Sequence, residues 1–492
     1  MPNVKAQHLL SMVAEMAIDL TPRWDKFAVY LPAMQYGYAN AVDDSAKNKK
    51  VSKNREFPSG ITMADLDFLN PKSKLWHYGY ALYSAGQFTD ARPKSCAVYN
   101  RDKTRTTILG DSGGYQIGKG TMHGTDHLKR AKTGAEVCDI WRKNSDPRKW
   151  IVQWLEASSD YAMTIDMPLW AKFPSNSGTP FHKCTVQELI DLSVGNLEYI
   201  KRNARGNTKW LNVVQGTDHN DWKLWWDAVK KYRFGGWALA GSVGWRGIGE
   251  DKAAGIKGMS GLQSVLQMVL TMRDDNAFDK GQDWMHVLGV SQPTWAVLLT
   301  AIQRGIRKQC KNENFRVSYD SASPFQAGGR YHKVVRYPKF TNDIASWAMT
   351  MHLSPQNPLY CGTGKEFRFP YPSPIGDRLY LSHLNINGGE FQSKPYDSVS
   401  NHMLVNHNIW VYVRSFLEAN ELAFMLPSDA DKAVPQKLID MFAFIDYILG
   451  EERWQAKLKK EKLLLDDAIS KKSAKDVIEQ PIERDVVENE FR

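Results

Sequence analysis

The sequence predicts an α/β protein, a (β/α)₈ barrel with insertions that is followed by a C-terminal helical extension. One observation behind this prediction is that short apolar, β-like runs alternate with segments of helical periodicity, which implies parallel strands joined by crossover helices. The other is that about seven or eight such units fit within the chain of 492 residues, a number that suits a closed barrel. An open doubly wound sheet is the alternative fold.

The individual elements follow in chain order. The runs that we interpret as strands are Phe27–Leu31, Thr107–Leu109, Tyr161–Ile165, Trp210–Val214, Trp237–Leu239, His286–Gly289 and Arg316–Tyr319. Helical patterns occur at Val186–Asn203, Asp221–Tyr232, Gly261–Arg273 and Thr294–Lys308, and the apolar spacing within Leu9–Leu20 predicts one more helix. We assign residues 1–425 to the barrel with its insertions and residues 426–492 to a charged, helical extension.

Composition indicates a folded, basic protein, with 42% hydrophobic residues, 24% charged residues and a net charge of +10. A positive excess is typical of proteins that bind nucleic acid, although a basic protein without such a partner is the alternative. No apolar run reaches the roughly 18 residues of a membrane span. The cysteines form no CxxC pair and are odd in number, which favours a reducing cytoplasm. They are Cys96, Cys138, Cys184, Cys310 and Cys361.

Polar or glycine residues follow five of the apolar runs. Each of these residues has an ordinary explanation, because strands normally end in turn residues. In a (β/α)₈ barrel, however, catalytic groups gather at the C-terminal ends of several strands. Three aspartates and a glutamine at matched positions therefore indicate an active site. These residues are Asp111, Asp166, Gln215 and Asp320, together with Gly241.

Paired carboxylates are the groups that glycosyl transfer requires. One carboxylate attacks the anomeric carbon and holds a covalent glycosyl-enzyme, and the other manages the proton of the leaving or incoming group. A purine base also offers hydrogen-bond donors to carboxylates, and its flat face suits an aromatic side chain. The pattern of residues is thus compatible with chemistry on a nucleoside.

A family resemblance makes this prediction specific. The segment Asp111–Gln116 (DSGGYQ) is similar to the DSGG[FY]Q signature of the tRNA-guanine transglycosylase superfamily. Further similar segments follow in the same order, over about residues 100–330, with a weaker match at His407 and Asn408. They are Ser159–Asp166 (SDYAMTID), Val214–Gly216 (VQG), Phe234–Gly241 (FGGWALAG), His286–Val290 (HVLGV) and Val317–Ser321 (VSYDS).

The resemblance implies roles for residues at the matching positions. Asp320 corresponds to the nucleophile that attacks C1′, and Asp111 to the general base that deprotonates the incoming base. Tyr115 corresponds to the residue that stacks on the base. The full set of implied substrate-binding residues is Ser112, Gly114, Tyr115, Asp166, Gln215, Gly216, Gly241 and Leu288. Turn, capping or core roles are the alternative for each.

The chain also departs from the family pattern. Ala240 stands where the family has a glycine, and the following Ser242–Arg246 (SVGWR) lacks the glutamate of the family's LAVGE. This change argues against an aminomethyl substituent on the incoming base and leaves a cyano group open. The family's CxCxxC zinc ligands are missing. The candidates for a rearranged zinc site are Cys361, His383, His402 and His407, for which ordinary structural histidines are the favoured alternative.

The chain most resembles the DNA-modifying branch, the DpdA-like DNA-guanine transglycosylases of phages and bacterial modification clusters. The expected partners are DNA and a free 7-deazaguanine, with 7-cyano-7-deazaguanine as the expected base. No cofactor is needed for this chemistry, and the expected compartment is the cytoplasm, of the host if the protein is phage-encoded. A homodimer or an accessory protein is left open. The alternatives are tRNA-guanine exchange at the same site and a non-catalytic, nucleic-acid-binding barrel subunit.

Two groups of basic residues are candidate phosphate contacts. The first is the loop Ala46–Arg55, for which a solvated insertion is the favoured interpretation. The second consists of Arg304, Arg307, Lys308, Lys311 and Arg316. A duplex substrate would have to present the target guanine flipped out of the stack, and basic contacts of this kind would make binding weaken with salt.

Overall fold

The chain folds into a closed barrel of eight parallel strands, as predicted. The computed structural model describes residues 18–44, 51–52, 55–87, 95–206, 208–240, 261–354, 367–386, 396–425, 433–461 and 464–465. Neighbouring strands pair in chain order, and the last strand closes the barrel against the first. The strands are β1 (Val29–Met34), β2 (Tyr80–Ser84), β3 (Thr107–Asp111), β4 (Tyr161–Met163), β5 (Lys209–Val214), β6 (Gly236–Leu239), β7 (Trp284–Val287) and β8 (Arg316–Ser321).

Helices surround the barrel. They are α1 (Tyr36–Asp43), α2 (Gly114–Lys119), α3 (Gly134–Lys143), α4 (Asp146–Ser158), α5 (Val186–Asn203), α6 (His219–Val229), α7 (Gly261–Asp274), α8 (Pro293–Cys310), α9 (Ser323–Gly329), α10 (Leu381–Leu384), α11 (Ser398–Phe424), α12 (Gln436–Leu449) and α13 (Trp454–Lys460). Two small sheets accompany them, a parallel pair of Ile18–Asp19 with Trp76–His77 and an antiparallel pair of Lys333–Arg336 with Thr350–Leu353. None of the described helices combines the length and apolar character needed to cross a bilayer.

The barrel strands are buried on both sides, which explains why they form continuous apolar runs rather than alternating patterns. In β5, for example, every residue from Trp210 to Val214 is buried. Because the sheet closes on itself, the open doubly wound alternative is wrong. The predicted strands differ from the observed ones only at their ends.

One strand, β2, was missed. Its sequence Tyr80–Ser84 (YALYS) is fully buried and apolar enough to have been recognised. Between it and β3 the described residues contain only the 3₁₀ turn Ala85–Gln87, with no crossover helix. The prediction relied on strands that alternate with helices, so a strand with no helix after it in the described residues was not recognised.

The helix predicted over Leu9–Leu20 is wrong at its end. Ile18 and Asp19 form a short strand beside Trp76 and His77, and the backbone N–H of Leu20 donates to the carbonyl of His77. The earlier residues of this segment lie outside the described part of the chain. Pairing with a distant strand therefore overrides the helical spacing of the apolar residues.

The described part of the C-terminal extension packs onto the barrel's outer layer. Helix α12 lies against α8, where Leu449 occupies the space above Gly305 and would collide with any Cβ there. The guanidinium of Arg273 on α7 donates to the carbonyl of Leu449 at 2.6 Å. The indole of Trp454 on α13 donates to Asp274 at 2.8 Å.

Candidate active site

The predicted site residues that the structure describes gather at the C-terminal end of the barrel. Asp111 is the last residue of β3 and Asp320 the second-last residue of β8. Gln215 directly follows β5, and Leu288 directly follows β7. Asp166 comes three residues after the end of β4. Because the strands are parallel, these residues share one mouth of the barrel, as expected for a catalytic site.

Asp320 is held by the loop after β7. The backbone N–H of Gly289 donates to its Oδ1 at 2.9 Å, and Nε2 of the buried His286 lies 3.3 Å from the same oxygen. The side chain of Asp320 is 14% exposed. No hydrogen bond reaches its Oδ2 from the described residues. One carboxylate oxygen is therefore anchored, and the other remains available to react.

Asp111 is oriented by its two neighbours along the mouth. The hydroxyl of Ser84 at the end of β2 donates to Oδ2 at 2.6 Å, and the backbone N–H of Gly113 donates to Oδ1 at 3.2 Å. Burial raises the pKa of Asp111, and the charge of Asp320 raises it further. A raised pKa brings a carboxyl group closer to the range in which it can exchange protons during catalysis.

Asp166 and Gln215 form a hydrogen-bonded pair. Nε2 of Gln215 donates to Asp166 Oδ2 at 2.6 Å, and the Ser112 hydroxyl approaches Oδ1 at 3.4 Å. The amide of Gln215 is itself fixed, because its Oε1 accepts from the N–H of Leu169 at 2.9 Å. Burial, followed by the charge of Asp111, raises the pKa of Asp166 to about 7. Nε2 of Gln215 also donates to the carbonyl of Met167 at 2.9 Å, so both of its hydrogens are used within the protein, and the pair offers the carboxylate oxygens of Asp166 to a planar ligand.

The two glycines of the DSGGYQ segment serve different purposes. Gly113 has φ of 82°, and a Cβ there would lie 2.6 Å from Cα of Gly86, so both the conformation and the space require glycine. A Cβ on Gly114 would lie 3.3 Å from Asp166 Oδ1. Gly114 therefore leaves the space beside that carboxylate open, and its predicted contact with substrate stays a prediction.

The other two predicted glycines are Gly216 and Gly241. A Cβ on Gly216 would lie 2.5 Å from Cβ of Trp222 on α6, so tight helix packing already accounts for this glycine. Its predicted contact with substrate stays a prediction. Gly241 and the following Ser242–Arg246 lie outside the described residues.

Tyr115 is the most exposed aromatic side chain of the site, at 61%. Trp170 stacks against it with ring centroids 5.3 Å apart, and Lys119 Nζ lies 5.1 Å from the centre of the indole ring. Trp170 packs closely over Gly118, where a Cβ would come within 3 Å of the indole. The half-buried Leu288 adds an apolar side chain from the β7 loop. The mouth thus offers an exposed aromatic surface.

The resemblance implies that Tyr115 stacks on a free base, so its replacement with alanine should weaken base binding by roughly 5- to 150-fold, because one stacked base contributes about 1–3 kcal/mol. Tyr115→Phe should bind almost as well as the wild type, since the ring is retained. Calorimetric titration with 7-cyano-7-deazaguanine measures both. Tyr447→Ala, at an exposed tyrosine on α12, is the control and should change nothing. Equal binding by Tyr115→Ala and the wild type would contradict the stacking role.

The raised pKa of Asp166 predicts a pH-dependent stability difference. A carboxyl group whose pKa is raised on folding stabilises the fold fully below its unfolded value of 3.8, and this contribution is lost as the pH rises to about 7. Asp166→Asn should therefore gain on the order of 1–3 kcal/mol relative to the wild type between pH 4.5 and 8. Urea unfolding at both pH values measures this. A difference that does not change with pH would show that the carboxyl titrates normally.

Several residues of the site were not anticipated from the sequence. Ser84 was missed with its strand β2, and His286 was read only as part of a matching segment. Trp170 and Lys119 were also missed, because nothing in the sequence indicates that a loop after β4 folds back onto α2. His286 did carry a usable signal, since a histidine within an apolar strand next to a predicted active-site strand has few structural explanations.

The candidate zinc ligands do not converge in the described part of the chain. His407 is buried with Nδ1 2.8 Å from the Ser373 hydroxyl and Nε2 3.0 Å from the Val335 carbonyl, so both ring nitrogens are occupied. Nδ1 of His383 accepts from the N–H of Tyr380, and the half-buried His402 packs edge-on against Tyr38. Cys361 lies outside the described residues.

A different group of metal-ligand type is present among the described residues. Cys138, Cys184 and Glu188 place their ligand atoms within 4.8 Å of one another. The two thiols are 4.0 Å apart, and the Glu188 carboxylate caps α5 by accepting from the N–H and hydroxyl of Thr185. Burial raises the pKa of both thiols. Packing and capping account for the group without a metal.

Among the basic residues that are candidate phosphate contacts, Arg55 and Arg316 are engaged elsewhere. Arg55 is buried in an ion pair with Asp397 at the start of α11, so it is structural, and most of its loop lies outside the described residues. Arg316 begins β8 and so lies at the end of the barrel opposite Asp320, where it bonds to Tyr80 and Asp25. The C-terminal half of α8 leads to that same end, so the second group of basic residues lies away from the barrel mouth.

The similarity to known proteins was also tested directly. No family model matches the chain, and no curated protein matches it. Function is therefore inferred from the chemistry of the site and from the sequence segments described above.

Proposed function

We propose that the protein is a base-exchange glycosyltransferase that replaces guanine in DNA with a 7-deazaguanine, with 7-cyano-7-deazaguanine as the incoming base. The observation that carries this proposal is the pair of carboxylates at the barrel mouth. Asp320 has one anchored and one available oxygen, whereas Asp111 is buried with a raised pKa. These different environments suit a nucleophile and a proton-transfer group, respectively.

The proposed reaction has two halves. In the first, Asp320 Oδ2 forms a bond to C1′ of a flipped deoxyguanosine as the C1′–N9 bond breaks, and guanine leaves with that electron pair. In the second, N9 of the incoming base forms a bond to C1′, its proton passes to Asp111, and the C1′–oxygen bond returns its electrons to Asp320. Retention at C1′ follows from two displacements.

The base would lie between the polar pair and the aromatic surface. Asp166 and Gln215 would contact the edge of the purine, where the base carries both donors and acceptors. Tyr115 would cover one face of the ring, supported from behind by Trp170. Gly114 leaves room beside Asp166 for this arrangement. The same pocket serves the leaving and the incoming base, because both share the guanine edge.

The choice of DNA over tRNA depends on the resemblance to the DNA-modifying branch. An exchange assay run in parallel on duplex DNA and on tRNA tests it. Each polymer is incubated with the protein and 7-cyano-7-deazaguanine, digested to nucleosides and analysed by mass spectrometry. We expect a modified deoxynucleoside. A modified ribonucleoside instead would place the same site in tRNA exchange, and the absence of either product would contradict the proposed activity.

The rival from another class is a barrel that binds nucleic acid without catalysis. Such a subunit needs neither an oriented carboxylate with an available oxygen nor a second carboxylate with a raised pKa beside it. If Asp320→Asn binds DNA as the wild type does but yields no product, the enzymatic proposal is supported over this rival.

A further inference from the structure

A row of polar side chains lies behind the proposed nucleophile. Trp284 and His286 are two residues apart on β7 and so point to the same face, and Ser318 and Asp320 do the same on β8. The register pairs Ser318 with His286. Trp284, His286 and Ser318 are all buried, with His286 and Ser318 fully inaccessible. Polar groups buried to this extent require partners, and the two strands provide them for each other.

The hydrogen bonds of this row determine where His286 carries its proton. The indole N–H of Trp284 donates to Ser318 Oγ at 2.7 Å, so that oxygen already acts as an acceptor. The Ser318 hydroxyl hydrogen has no other acceptor among the described residues, so it is donated to His286 Nδ1, 2.9 Å away. With Nδ1 as the acceptor, a singly protonated ring carries its hydrogen on Nε2. A doubly protonated ring carries one there as well.

The proton on Nε2 faces the nucleophile. Nε2 is buried, lacks a well-aligned hydrogen bond within the described residues and lies 3.3 Å from Asp320 Oδ1. The N–H of Gly289 donates to the same oxygen at 2.9 Å. We propose that His286 is a positioning residue, which together with Gly289 holds Oδ1 so that Oδ2 meets C1′ and which stabilises the Asp320 carboxylate as it departs. This inference rests on the proposed function.

The two half-reactions should respond differently to the loss of this donor. In the first half Asp320 is already charged, so a donor on Oδ1 stabilises the starting carboxylate as well as the transition state. In the second half Asp320 is the leaving group and regains its negative charge as the C1′–oxygen bond breaks. A preorganised donor then favours the transition state over the neutral ester. Loss of the donor should therefore slow the release of the deoxyribose from Asp320 in the second half more than it slows formation of the adduct in the first half.

The test measures both half-reactions of the full-length protein in single turnovers. His286→Leu should slow the decay of the protein–DNA adduct on addition of 7-cyano-7-deazaguanine by about 10- to 100-fold. Adduct formation should change less, so that adduct accumulates at steady state. His286→Gln retains an amide N–H near the position of Nε2 and should restore most of the decay rate. Ser318→Ala, which frees the ring to change tautomer, should give a smaller effect in the same direction.

Each outcome decides between the proposals. Equal slowing of both halves, or equal defects in His286→Leu and His286→Gln, would overturn the positioning role while leaving the exchange activity in place. The absence of any adduct in the wild type would overturn the proposed function and this inference with it. If the variants fail to fold, the ¹⁵N chemical shifts of the wild-type His286 ring still test the arrangement. They should report a protonated Nε2, and a proton found only on Nδ1 would contradict it.

Discussion

Asp320→Asn should abolish base exchange, with a loss on the order of 10⁴-fold or more in turnover, because the amide cannot form the glycosyl-enzyme. The substitution is nearly isosteric, and the N–H of Gly289 can still donate to the amide oxygen. The fold should therefore be retained. Quantification of modified deoxynucleoside per hour, beside the wild type at equal protein concentration, measures the effect.

The matched control for this variant is Asp25→Asn. Asp25 is exposed, lies 3.4 Å from Arg316 and is at the opposite end of the barrel from the site. Loss of such a surface ion pair costs about 0–1 kcal/mol and should leave exchange unchanged. Residual exchange by Asp320→Asn within tenfold of the wild type would show that another group is the nucleophile.

Asp111→Asn should lower exchange by roughly 10²- to 10⁴-fold, the contribution of a well-placed acid–base group. Its effect should depend on pH. A base must be ionised to accept a proton, so in the wild type the second half-reaction should accelerate as the pH rises through the pKa of Asp111, which burial raises above 3.8. The variant should lack this rise. Rates of adduct decay across pH 4 to 8 measure both effects.

The control for Asp111→Asn is Asp227→Asn, on the exposed surface of α6, where the carboxylate pairs with Lys223 and Lys230. It should show the wild-type pH profile. If Asp111→Asn retained the rise of rate with pH, the proton acceptor would be a different group. Asp166 would be the first candidate, since its pKa is also raised.

Much of the fold could be predicted, because barrel strands buried on both sides leave continuous apolar runs in the sequence. The predicted helix over Val186–Asn203 matches the observed one, since Thr185 and Glu188 form a capping box at its start. The strand β2 was lost because no helix follows it before β3 in the part of the chain that the structure describes. The paired strand at Ile18 and Asp19 was lost because its partner lies more than fifty residues away, and local periodicity contains no information about it.

The site residues could be predicted where they stand at strand ends. They could not be predicted where they depend on contacts between residues that are distant in the sequence. The grouping of Asp111, Asp166, Gln215 and Asp320 follows from their places at or just after the C-terminal ends of parallel strands. The row from Trp284 to Asp320 does not, because it depends on the register between two strands. The position of Trp170 on Tyr115 depends on a loop that folds back over Gly118. Long-range pairings of this kind are properties of the folded chain alone.

The most direct test of the central claim is to locate the covalent bond to DNA. The protein is incubated with duplex DNA, denatured in acid, digested with nuclease and trypsin, and analysed by mass spectrometry for peptides that carry a deoxyribosyl group. The tryptic peptide 317–330 contains Asp320 as its one carboxylate side chain, and the peptide 106–119 likewise contains Asp111. We predict the added mass on peptide 317–330. The same mass on peptide 106–119, or on neither peptide, would contradict the assignment of Asp320 as the nucleophile.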